Sequence, residues 1–144
     1  MSTVKEMLER VLNFDIQQST EMAMEERADD VLEFNKHRIY EYSEDANEHP
    51  LRSPYSPRYA KYKMKLRGKQ ITDLYDSGEM FKKMRLIVSN GEYAITSDAD
   101  YTKYVVKWAN APVFGLAIED RDDVWNYVLL PLVAADFKAE TGAK

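Results

Sequence analysis

Two histidines, five scattered glycines, clustered carboxylates and a run of lysines interleaved with tyrosines are the residues of this chain with chemistry to offer. His37 and His49 stand well apart with no carboxylate at ligand spacing, so they outline no metal site and read as surface histidines. The glycines never cluster, which leaves no phosphate-cradling loop and no dinucleotide fingerprint. Glu25-Glu26 with Asp29-Asp30, and Glu119-Asp120 with Asp122-Asp123, carry the charge to hold a cation. Each group falls at an expected helix end, where a solvated face or a dipole-complementing cap is the ordinary role. Cysteine is absent, which excludes disulfides and thiolate ligands, and no nucleophile, base and orienting group assemble from motifs. The expectation is no enzyme activity, no metal and no cofactor.

The basic run is more telling. Residues 50–90 hold ten Lys/Arg against three Asp/Glu, whereas residues 1–34 hold three against nine, and the chain as a whole carries −5. Charge segregated in this way binds nucleic acid through one patch, or protein through both, copies of the same chain included. Arg58, Lys61, Lys63, Lys65, Arg67 and Lys69 for phosphates, with Tyr55, Tyr59, Tyr62 and Tyr75 for base stacking, are the elements of a single-strand binder. That alternative, a small nucleic-acid-binding module, is the second reading. Most of these tyrosines fall where an amphipathic helix needs core contacts, no helix-turn-helix or RNP-like pattern is present, and the chain is acidic overall, so nucleic acid is not expected as a specific ligand.

The elements that position these residues follow from spacing. At 144 residues and 44% hydrophobic the chain reads as a single domain, residues 1–144, with a core of ordinary size. Its beginning, MSTVKEMLERVLNFD, is charged every few residues and is no signal peptide. No run approaches the roughly 18 apolar residues of a membrane span. A soluble, intracellular chain is expected, unless it leaves the cell within an assembly. Val4, Met7, Leu8, Val11 and Leu12 recur at helical spacing behind a Thr3/Glu6 capping box, predicting a long helix over about residues 3–27 whose stripe loses regularity past Asp15. Residues 28–42 fit helix and strand equally, and 43–54, with two prolines, read as an exposed loop.

Residues 55–140 form the body. Ser56-Pro57 and Gly68 bracket a helix over about 57–67, residues 71–75 are a short strand, and Asp76 with Glu79 starts a brief helix through Met84. Asn90-Gly91 between two apolar runs predicts a type I′ hairpin in which Val88 faces Tyr93 and Leu86 faces Ile95. Ser97 with Asp100 caps a helix that buries Tyr101, Tyr104, Val105 and Trp108. Residues 113–116 are a short extended segment. Asp120 opens a final helix with Val124, Val128, Leu132 and Ala135 inward and a kink near Tyr127 caused by Pro131. The class is α+β: a small antiparallel sheet packed by a long N-terminal and a C-terminal helix.

Four short motifs in this order resemble the neck or tail-completion family of tailed bacteriophages, also called phage virion morphogenesis proteins. Tyr59, Ala60 and Lys63 match its "Tyr-Ala-x-x-Lys" helix, and Leu74, Asp76, Ser77, Gly78 and Met80 its "Leu-x-Asp-[Ser/Thr]-Gly-x-[Leu/Met/Phe]" turn. An inward-facing tyrosine helix follows, and then Pro112, Phe114, Gly115 and Leu116 match a "Phe-Gly-Leu" stretch before the terminal helix. The resemblance spans about residues 53–140. Val113 departs from the basic residue that many relatives place there, and residues before 50 carry no family pattern. The resemblance implies a structural virion protein located in the particle, and in host cytoplasm during assembly. It implies a cyclic homo-oligomer at the head–tail junction or top of the tail, with portal, connector or tail proteins as partners and no membrane. For such a ring the candidate interface sets Arg58, Lys61, Lys65, Arg67 and Lys69 of one copy against Glu21, Glu25 and Glu26 of the next.

Overall fold

The computed structural model describes residues 3–51, 78–109 and 111–142. The chain opens with helix α1 (Val4–Leu12), whose capping box forms as the sequence predicts: Thr3 Oγ1 accepts the Glu6 N–H at 3.2 Å and Glu6 Oε2 accepts that of Thr3 at 3.1 Å. The single long helix does not form. Asn13 closes α1, and Asp15 Oδ1 accepts the Gln18 N–H at 3.0 Å to start helix α2 (Ile16–Glu26). An aspartate that bonds its own backbone three residues on favours a new helix start over continuation. The stripe loses phase past Asp15 because two helices with separate inward faces meet there, α2 burying Ser19, Ala23 and Met24.

The ambiguous stretch 28–42 is helical. Helix α3 (Ala28–His37) turns Val31, Leu32 and Asn35 inward and runs into a π turn, Arg38–Tyr42, which Ser43 stops with a φ of 54°. The loop that follows is exposed over residues 47–50, as expected, while its two ends fold inward. Asp45 Oδ1 collects the N–H groups of Asn47 and His49 at 2.8 and 3.0 Å, a bridge joins Glu44 to Pro50, and Ala46 donates to Pro112 O at 2.8 Å. Asp45, Ala46 and Leu51 are buried. A carboxylate that gathers backbone donors turns a polar string into a compact turn.

The helix expected at 57–67, the strand at 71–75 and the capping aspartate at 76 lie outside the described residues. Helix α4 (Glu79–Lys82) ends two residues short of its expected limit, because Met84 already belongs to strand β1 (Met84–Ser89). Strand β2 (Glu92–Ser97) pairs with it antiparallel in the predicted register, Leu86 opposite Ile95 and Val88 opposite Tyr93. Asn90 and Gly91 have φ of 51° and 79°, the positive pair that a type I′ turn demands. β1 packs on α2 and α3, while the C-terminal helix lies against α1 and α2, a different arrangement from both terminal helices covering the sheet. The class is α+β, as the sequence predicts.

Helix α5 (Thr102–Ala109) is not capped by Ser97, whose hydroxyl donates to Met80 O at 2.7 Å from the end of β2. Tyr104 is 65% exposed, against expectation. Thr102 and Ala109 centre the buried face, and at about 100° per residue Tyr104 falls off its edge. The last helix starts two residues early, as α6 (Ile118–Asp123), continues through a second π turn, Val124–Leu129, and ends as α7 (Leu130–Thr141). Leu130 donates to Trp125 O, five residues back, and Pro131 follows with no N–H to give. The wide turn inserts one residue into the pattern. Val124, Leu129, Val133 and Thr141 are therefore buried, Val128 and Leu132 are half-buried, and Ala135, expected inside, is exposed.

Candidate functional site

Most of the basic segment lies outside the described residues: Arg58, Tyr59, Ala60, Lys61, Lys63, Lys65, Arg67, Lys69, Leu74, Asp76 and Ser77. The described motif residues form one scaffold. Gly78, at φ 83°, precedes α4, and Met80 is fully buried, its N–H donating to Tyr101 Oη at 2.8 Å. Pro112 O holds Ala46, Phe114 is half-buried, and the buried Leu116 offers its carbonyl to Arg121 Nε at 3.0 Å. Gly115 has φ 142°, and a Cβ there would sit 3.1 Å from Ala46 Cβ, so glycine is required both for its backbone and for the close approach of the 43–51 loop.

Two polar anchors escape the sequence reading. Asn35, buried beside Val31 and Leu32, donates from Nδ2 to Val113 O at 3.1 Å and accepts the Gly115 N–H at 3.4 Å, so α3 carries the "Phe-Gly-Leu" stretch. An asparagine on the apolar face of a helix is the only sign of it. Arg38 is the second. Its Nε and Nη2 donate to the two oxygens of Asp120 at 2.7 and 3.0 Å, and Nη1 to Glu44 Oε2 at 2.5 Å. The forked bond to Asp120 raises the guanidinium above its already high range; burial opposes this, and the charges of Asp120 and Glu44 reinforce it. This clasp ties the end of α3, the 43–51 loop and α6 together. It also explains Asp120, read from sequence as a helix opener.

A recess of about 360 Å³ beside the clasp is lined by Phe34, His37, Tyr42, Glu119 and Asp123. Among the described residues no histidine or carboxylate group is arranged to hold a metal ion. His37 and His49 are both exposed.

Of the acidic candidates, Glu21 is turned inward: it accepts the N–H of Gly91 and that of Gln17 Nε2, the latter at 3.3 Å, bracing α2 against the hairpin. It is not a free interface residue. Glu25 and Glu26 are exposed and, with Asp29, make no ion pair among the described residues; Asp30 meets Arg27 at 3.7 Å and Glu33 meets Lys36 at 3.7 Å. The apolar stripe of α1 is open to solvent, Val4 being 84%, Leu8 55% and Leu12 74% exposed. An acidic surface over the α2–α3 junction and an apolar ridge on α1 are thus two features with no partner among the described residues. No family model, no curated protein and no solved structure matches the chain.

Proposed function

We propose that this chain is a structural virion protein of a tailed phage, forming a homo-oligomeric ring at the head–tail junction or the top of the tail. The observation that carries this reading is the exposed acidic surface of Glu25, Glu26 and Asp29, which makes no ion pair among the described residues, in a chain that also bears a strongly basic segment at 50–90. In a ring each copy presents one surface to a different surface of the next, and charges of opposite sign on separate segments meet that need. The motif resemblance over residues 53–140 gives the virion setting. Within it, Asn35, Gly115 and the Arg38 clasp act as scaffold, holding the motif-bearing loop in a fixed place.

The test is binding to the neighbours that such a position requires. Purified protein is mixed with portal, connector and tail-tube proteins of a tailed phage that encodes it, and each mixture is sized by light scattering. A stable complex with at least one of them is expected. A chain that ignores all of them contradicts the reading.

A further inference from the structure

We infer that α1 is a self-pairing helix: the ridge Val4–Leu8–Leu12 docks antiparallel on the same ridge of a second copy, about a two-fold axis through Leu8. The inference does not depend on the virion reading. It starts from which part of the apolar stripe is free. Met7 and Val11 are 45% and 38% exposed, whereas Val4, Leu8 and Leu12 are at 84%, 55% and 74%. α1 lies against α7, with Phe14 meeting Phe137 edge-on at 5.1 Å and Arg10 near Gly142, so Arg10, Met7 and Val11 are on the side toward that helix. What remains outward is a line of residues four apart, the kind of ridge that packs between helices.

Charge selects the occupant and its direction. Beyond Leu8 and Leu12 the free edge carries Lys5 and Glu9, and neither makes an ion pair among the described residues. When two copies of α1 run antiparallel about Leu8, Val4 faces Leu12 of the second copy, and the like edges of the two helices adjoin. Lys5 of each then stands within about one turn of Glu9 of the other, two opposite-sign pairs related by the axis. A parallel pair brings the charged edge of one helix against the Met7–Val11 side of the other and leaves both charges without partners. Opposed helix dipoles favour the antiparallel choice as well. A nine-residue helix is only about 13 Å long, so the contact is at the small end of specific interfaces and is weak alone. It gains strength wherever another contact already holds copies together.

Disulfide trapping reads such a contact directly, since the chain has no cysteine and each introduced thiol is the sole one. Leu8→Cys, Val4→Cys and Leu12→Cys are oxidised under mild conditions in the full-length protein, with thermal unfolding of each variant confirming the fold. A bond needs Cβ atoms roughly 4 Å apart. The expected result is a covalent dimer from Leu8→Cys, little from Val4→Cys or Leu12→Cys alone, and a mixed dimer when those two proteins are combined. Lys5→Glu in the Leu8→Cys background lowers the yield several-fold, and adding Glu9→Lys restores it. No dimer from Leu8→Cys, or equal dimer from Val4→Cys alone, overturns the proposal. If the protein is a larger oligomer and Leu8→Cys still fails to cross-link, the ring reading stands and the self-pairing helix falls.

Discussion

Arg38 is the residue whose loss costs most in this account. Its side chain is 9% exposed and Asp120's 11%, so Arg38→Met leaves a buried carboxylate without its partner, a change of about 3–5 kcal/mol. Replacing both, Arg38→Met with Asp120→Leu, is expected to recover most of that loss, because the penalty belongs to the orphaned charge. Chemical denaturation of both variants measures the difference. The pH behaviour has a definite sign. A guanidinium raised by its partner contributes stability that is complete below its unfolded value and lost only as pH rises through the folded one, and both lie beyond ordinary working conditions. The gap between wild type and Arg38→Met is therefore expected to stay level from about pH 7 to about pH 10, and a decline over that range contradicts it. Two further substitutions probe the neighbouring anchors. Gly115→Ala meets both a positive φ and Ala46, and is expected to cost about 1–3 kcal/mol. Thr102, whose buried hydroxyl has no partner among the described residues, should gain about 1 kcal/mol as valine. Gly115 stood out beforehand as a motif residue, whereas the Arg38 clasp was not legible. Arg38 and Asp120 lie 82 positions apart, and only the tertiary fold brings them together.

At the scale of elements, legibility follows how local the deciding physics is. Asn90-Gly91 demands positive φ at two successive residues, which few pairs other than Asn-Gly satisfy easily, and this fixed the hairpin and its register from four residues of sequence. Asp15 carried an equally local signal as a helix cap, and the stripe loses regularity just past it, yet no glycine or proline stands there to mark a break between two helices. Pro131 marked where the last helix is irregular but not how. A kink and a π turn both accommodate a missing N–H, and only the π turn moves the buried face from Val128 and Leu132 to Leu129 and Val133. Deleting the exposed Tyr127 removes the extra residue and places Pro131 inside a regular α-helix, at a cost of about 3 kcal/mol. The same deletion with Pro131→Ala should cost much less. Similar losses with and without the proline, read from thermal unfolding, would show that the π turn serves something other than the proline.

At the scale of the whole molecule, the proposed assembly gives a use to two surfaces without partners among the described residues, the α1 ridge and the acidic surface of Glu25, Glu26 and Asp29. Deleting residues 1–12 is expected to weaken assembly more than folding, since no residue of α1 is buried. Equal loss of both, measured by sizing and unfolding of the same truncated protein, would make α1 part of the core. Salt separates the two contacts. On the proposed reading, association through the acidic surface and the basic segment weakens steeply as ionic strength rises from about 0.05 to about 0.5 M, whereas the α1 contact, apolar with two ion pairs at its edge, weakens less. The most direct measurement of the central claim is the mass of the untagged full-length protein by light scattering, over a concentration series at low salt. The expected result is a discrete multiple of 16.8 kDa that falls toward the single-chain mass as salt is added. A mass of one chain at every concentration and every salt contradicts it.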